Sequence, residues 1–181
     1  MNTFNRVISI LDRSLMKIEE LILSFAIIVI SVMVIGNVLS RTFTGASWAF
    51  NEEISRFALF LATFIGISYV ARKGRHISMS AFFDLAPHKI RKALAIIIPL
   101  VTAIVLFVLA YYAYGYMASV RDSGRVTAAL RFPYYWMLIA VPLGFVLGGI
   151  QFLRNAWINI KEKDVYLATD KKDYDRTDGA I

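Results

Sequence analysis

The sequence predicts an all-α integral membrane protein with four transmembrane helices, and three observations carry that prediction. First, the 181-residue chain is 58% hydrophobic and 18% charged, whereas a soluble domain is about 45–50% apolar and about 25% charged. Second, mean hydropathy is +0.60. Third, the apolar excess is gathered into four stretches without Asp, Glu, Lys or Arg: Leu21–Ser40, Phe57–Ala71, Ala93–Val120 and Phe132–Leu153. A bilayer core about 30 Å thick is crossed by roughly 20 residues of helix. These features exclude a soluble globular domain, a disordered chain and a secreted disulfide scaffold. The sequence has no cysteine, so thiolate chemistry, Cys-ligated zinc and iron–sulfur clusters are excluded too. Two histidines, His76 and His88, are too few for most His-based metal sites.

Residues 1–20 carry Phe4, Val7, Ile8, Leu11, Leu15 and Ile18 at helical spacing, with Arg6, Asp12, Arg13 and Lys17 mostly on the other side. This pattern predicts an amphipathic helix lying in the membrane interface. The other reading is a plain extension of the first span. Asp12, Glu19 and Glu20, with no small-residue cleavage site after the apolar run, argue against a signal peptide.

Span one covers about 21–40, with Asn37 near its far end, and Thr44-Gly45 marks a turn after it. Span two covers about 48–71. It begins near Trp48 and carries Glu52, Glu53 and Arg56 in its first turns. The basic cluster Arg72-Lys73-Gly74-Arg75-His76 follows, and then a short mixed stretch punctuated by Pro87. Span three covers about 93–120. Its 28 uncharged residues would reach about 42 Å, so the helix must tilt or project beyond the bilayer. Tyr111, Tyr112, Tyr114 and Tyr116 near its end, with Phe132, Tyr134, Tyr135 and Trp136, read as an aromatic belt at one interface. Span four covers about 132–153, and Pro142 within it is expected to kink it. The transmembrane domain thus occupies 21–155, and 156–181 reads as a polar tail, flexible at its end.

Charge sets the orientation. Of the twenty Lys and Arg residues, fifteen lie in the N-terminal segment, the loop between spans two and three, and the tail. The other five are Arg41, Arg56, Arg121, Arg125 and Arg131. The positive-inside rule therefore predicts cytoplasmic N- and C-termini.

Few residues suggest chemistry. Glu52 and Glu53 can each meet Arg56 at helical spacing, at a helix N-terminus that favours negative charge. Structural ion pairs fixing helix packing are the plainest reading; ion or substrate binding, and contact with a partner subunit, are the alternatives. Arg72, Lys73, Arg75 and His76 read as an orientation signal and a contact for lipid headgroups. His76 and His88 flank a loop, whereas axial haem ligands would face one another inside spans. Gly144 and Gly148 form a G-x-x-x-G spacing that either admits a close helix neighbour or is ordinary glycine of a membrane helix. The sequence offers no nucleophile–base pair, phosphate loop or mid-membrane carboxylate cluster, so a non-catalytic structural or partner subunit is expected, without cofactor, metal or nucleic acid.

Residues 20–155 resemble a known family. The segments Glu52-Glu53-Ile54-Ser55-Arg56 after Trp48, Phe64-Ile65-Gly66, and Arg72-Lys73-Gly74-Arg75-His76-Ile77 are similar to the small membrane subunit of tripartite ATP-independent periplasmic (TRAP) transporters. So are Thr127-Ala128-Ala129-Leu130-Arg131-Phe132-Pro133, Trp136 and Pro142-Leu143-Gly144. The resemblance implies a subunit of the bacterial inner membrane. Its partners would be a large membrane subunit that moves the substrate, a periplasmic substrate-binding protein and membrane lipids. It implies sodium-driven import of organic acids, of C4-dicarboxylate or sialic acid type, with sodium coupling in the large subunit. The small subunit would brace the static scaffold and help dock the binding protein, and Arg41, Arg121, Arg125 and Arg131 are the candidate docking surface; the other reading of these arginines is contact with lipid headgroups. The competing readings are a membrane anchor of a respiratory enzyme, and a stand-alone membrane enzyme or small channel.

Overall fold

The computed structural model describes residues 3–73, 87–161, 166–168 and 171–172, with side chains over 14–72, 87 and 89–161. Helix α1 (Thr3–Thr44) has 42 residues, about 63 Å at 1.5 Å per residue. It runs unbroken across residues 20 and 21, where the sequence suggested a separate interfacial helix. The amphipathic segment and the first span are one element. Gly45 ends it at φ 71, donating its N–H to the Arg41 carbonyl at 3.1 Å. A left-handed residue after the last turn is glycine's natural place. The chain then reverses against α1 itself. The Trp48 N–H donates to Asn37 Oδ1 at 2.8 Å, and its ring packs so closely on Gly36 that a Cβ there would sit 2.7 Å away.

Helix α2 (Asn51–Lys73) carries Glu52 and Glu53 in its first turn. Helix α3 (His88–Asp122) has 35 residues and includes Pro99. The fourth span is divided into α4 (Tyr135–Leu138) and α5 (Ala140–Lys161). Pro142 lacks the N–H that would reach back to Leu138, and the helix is interrupted at Ile139. Helix α5 continues well past the predicted end of span four. A small antiparallel ribbon follows in the tail, pairing β1 (Tyr166–Ala168) with β2 (Lys171–Lys172), and β1 lies against α5 and α2. With an isolated antiparallel bridge between Val126 and Pro133 in the α3–α4 connection, it is the β-structure among the described residues. Four helical segments are long and apolar enough to span a membrane: Ser14–Thr44, Asn51–Arg72, Lys89–Asp122 and Tyr135–Lys161.

The helices pack in the order α1, α2, α5, α3. Small residues set that order. With no hydrophobic drive between helices in lipid, close backbone approach supplies the packing. A Cβ on Gly144 would lie 2.2 Å from the Phe64 carbonyl oxygen of α2, and one on Gly148 would lie 2.8 Å from Ile67 Cγ2. A Cβ on Gly149 would lie 3.0 Å from the Phe107 ring on α3. The core lies where these helices meet, at Ala71, Ala103, Leu106 and Phe152. On the other side of α2, Leu23 of α1 approaches Gly66, and Ala26 is buried. Large apolar side chains elsewhere on α1 and α3, such as Phe25, Ile35, Ile97 and Ile104, point outward.

Gly144→Ala is expected to force α2 and α5 apart, because its Cβ meets backbone rather than a movable side chain. Overpacking of this kind costs about 1–3 kcal/mol or more. Gly115 has nothing within 4 Å of its would-be Cβ, so Gly115→Ala should be neutral or slightly stabilising. Thermal unfolding of the two variants in detergent, compared with the parent chain, checks this.

Candidate functional site

Polar structure is concentrated at the two ends of the helix row. At the end carrying the α1–α2 and α3–α4 connections, Glu52 and Arg56 form an ion pair along one face of α2. Both side chains are substantially exposed, and such surface pairs contribute little alone. Spacing suggested Glu53 as a second partner for Arg56. Instead its carboxylate accepts the Ala129 N–H at 2.6 Å and the Leu130 N–H at 2.9 Å. The loop it holds is itself ordered. The Thr127 N–H donates to the Phe132 carbonyl at 2.9 Å, the Phe132 N–H donates to Thr127 Oγ1 at 3.0 Å, and the Tyr134 N–H donates to the Arg125 carbonyl at 2.9 Å. Arg131 sits at φ 52, a left-handed conformation uncommon outside glycine. The loop folds back on itself and turns two tip amides towards one carboxylate of α2.

The candidate docking arginines occupy this same end, and their surroundings differ. Arg125 lies over the Tyr134 ring, 4.7 Å from its centroid, which fixes its direction. Arg121 Nε is 3.2 Å from Asp122 Oδ1, so part of its charge is offset locally. Arg131 on the loop and Arg41 in the last turn of α1 are exposed. A cavity of about 220 Å³ opens between α2 and the loop, lined by Glu52, Arg56, Arg125, Thr127, Tyr134 and Met137 among others.

The opposite end holds a group that sequence reasoning missed. Glu19 of α1 is buried; its Oε1 accepts the Ser68 hydroxyl at 2.6 Å and lies 3.5 Å from an Arg72 guanidinium nitrogen. The Glu19 and Arg72 side chains are 4% and 3% exposed. Arg72 therefore does not face lipid headgroups as expected; it lies in the α1–α2 interface, paired across it. A signal was present, because Glu19 falls in helical register with Leu15, Leu23 and Ala26, on the face turned to α2. A carboxylate on a packed face needs a partner. Nearby turns of α5 bury Gln151, Asn155 and Asn159, and the Asn159 amide donates to the Asn155 carbonyl at 3.1 Å. Lys73 and His88 are described as backbone only, and Arg75 and His76 lie outside the described residues. Gly144 and Gly148 serve the α2–α5 contact within this chain. Among the described residues, no three His, Cys, Asp or Glu side chains gather as metal ligands would.

Four apolar helices packed through glycines, with their charged groups near the ends of the apolar runs, define a multi-pass membrane subunit. The comparisons with known proteins name its kind. Residues 30–162 match the family described as tripartite ATP-independent periplasmic transporters, DctQ component, and the chain belongs to that family: it is a small permease subunit, a transport component of the inner membrane. It is 40% identical over 167 residues to the ectoine TRAP transporter small permease protein TeaB of Halomonas elongata, across 92% of this chain and 86% of that protein. It is 25% identical over 151 residues to the sialic acid TRAP transporter permease protein SiaT of Haemophilus influenzae. That match takes in 83% of this chain and 24% of the relative, so the chain spans about a quarter of that longer protein.

Two outcomes follow from the ends. Glu53→Ala removes the acceptor for two loop amides. Tryptic cleavage after Arg125 and Arg131 should accelerate severalfold, whereas Glu52→Ala should leave it near the parent rate. At the other end, Arg72→Ala leaves a buried carboxylate without its cation, a loss of about 3–5 kcal/mol for such pairs. The double change Glu19→Leu with Arg72→Leu should recover much of that thermal stability. A double variant as unstable as the single one would show that the pair itself holds α1 to α2.

Proposed function

We propose that this chain is the static, non-catalytic subunit of a sodium-driven importer, standing beside a large membrane subunit that moves the solute. The observation that carries the reading is the family match across residues 30–162. Both termini face the cytoplasm, on the fifteen-to-five division of Lys and Arg. The loop held by Glu53 then faces the periplasm. Arg131 and Arg41, with Arg125 directed by Tyr134, present positive charge there to a soluble substrate-binding protein. Charge of this kind raises the encounter rate with an acidic surface more than it raises affinity. The chain needs no cofactor, and sodium coupling belongs to the large subunit.

The solute is a small carboxylate-bearing molecule. Ectoine is the first to try, because the relative named for it is the more similar of the two. Sialic acids and C4-dicarboxylates follow. Choice among them rests with the other two proteins, since this chain is read as scaffold.

The test is labelled-solute uptake in proteoliposomes under a sodium gradient. Uptake is expected only when this chain, its large subunit and the binding protein are combined. Arg131→Glu should slow that uptake severalfold while the membrane complex still co-purifies. Uptake by this chain alone, or undiminished uptake without it, overturns the scaffold reading.

A further inference from the structure

Three helices bring polar side chains to one buried place. Glu19 of α1, Ser68 and Arg72 of α2, and Gln151 of α5 are each at most 5% exposed.

Helical register puts them at one level. Helices α2 and α5 run side by side in the same direction, with Phe64 against Gly144 and Ile67 against Gly148. Ala71 and Phe152 continue the contact into the core. Gln151 therefore stands level with Val70 and Ala71 of α2. That is between Ser68 and Arg72, the two residues that hold the Glu19 carboxylate.

Helical phase turns them to one side. Gln151 follows Gly144 and Gly148 by seven and three residues, so it continues the stripe of α5 that faces α2. Gly149, which meets Phe107 of α3, lies about 160° round the helix from Gln151. Gln151 is thus on the flank turned away from α3. On α2, Ser68 and Arg72 follow Phe64 at steps of four and drift from the side facing α5 towards Glu19 of α1. From their mutual contact the two sets rotate in opposite senses. On parallel neighbours, opposite rotations open onto the same groove, here the one between α1 and α5.

Two oxygens in this place have no hydrogen-bond partner among the described residues: Glu19 Oε2 and Gln151 Oε1. A buried acceptor left without a donor is costly. A carboxylate paired with arginine offers only acceptors, and so does an amide oxygen, so these two atoms cannot satisfy one another. What satisfies both is a small molecule with two donors. A metal cation is disfavoured by the Arg72 guanidinium, 3.5 Å from the same carboxylate. Water has the two donors, and buried waters occupy sites of this kind.

We infer that Glu19 Oε2 and Gln151 Oε1 form a site for one buried water molecule, which donates a hydrogen bond to each. Helix α2 separates α1 from α5 in the row, and the water links these two across the groove beside it. The site belongs to the packing of this chain and does not depend on which solute the transporter carries.

The test is a density map of the membrane complex at a resolution that shows ordered water. One peak is expected within about 2.6–3.2 Å of both oxygens. A map without that peak overturns the site. So does a direct bond from the Gln151 amide nitrogen to Glu19, which would mean that the amide is turned round. Thermal melting of the full-length chain in mild detergent gives a second reading. Gln151→Met keeps the length of the side chain and removes the acceptor, and it should lower the melting temperature by about 2–4 °C. In the Glu19→Leu, Arg72→Leu background the other anchor of the water is gone, and there the same change should cost nothing or raise the melting temperature. An equal fall in both backgrounds overturns the bridge. Melting in sodium chloride and in potassium chloride at equal ionic strength should agree. A sodium-specific rise that Gln151→Met abolishes would make this a cation site, against the proposal. Should Gln151→Met fail to fold, the map decides alone.

Discussion

The close approach of α2 and α5 at Gly144 is the contact on which the rest of the arrangement depends. Helix α1 is held chiefly through α2, and α3 chiefly through α5. Everything outside the central pair therefore inherits its position from that pair. The contact has no side chain to yield, since the Phe64 carbonyl oxygen occupies the space a Cβ on Gly144 would need. Dispersion between backbones at short range replaces the hydrophobic drive that water would supply. Edge-to-face packing of Phe64 on Phe145, with centroids 5.2 Å apart, extends the same contact sideways.

Polar groups then secure the ends of α2 rather than its middle. Glu53 ties the beginning of α2 to the loop that precedes α4, and Ser68 and Arg72 tie its end to α1 through Glu19. One helix thus makes polar contacts with α1 and with the α3–α4 loop, separated by most of its length. Charges placed this way meet headgroups, water or one another instead of hydrocarbon, where they are costly. The exception, Glu19 with Arg72, is buried in protein and paired, which is the condition under which such a charge persists.

The spans were legible because each is a run without charge, and the family was legible because its motifs sit at fixed places at the ends of those runs and within them. Neighbour order was not. Four apolar stretches look alike to one another, and nothing in Gly144-x-x-x-Gly148 says that Phe64 and Ile67 fill the groove. The role of Glu53 was hidden for a similar reason: its partners are backbone amides 76 and 77 residues away, while Arg56 stands three residues off and is the obvious candidate. Arg72 was misread because it heads a basic cluster, and composition assigns the cluster as a unit. Burial divides it, with Arg72 turned inward towards α1. The length of α1 was uncertain for another reason, since an amphipathic pattern is satisfied equally by a separate interfacial helix and by a long span emerging from the membrane.

The row order also bears on what such a chain can do. A polar path across a membrane needs walls on several sides, as in a closed bundle or barrel. Among the described residues the helices stand in a row, α1, α2, α5, α3, rather than a closed ring. Their outward residues are large and apolar along α1 and α3. Such a body is suited to extend another protein's surface in the bilayer and to hold a loop at a fixed height above it. A solute-moving subunit must change shape against something that does not. On the scaffold role proposed above, the close glycine contact at the centre and the tethers at both ends of α2 are the features that would resist deformation.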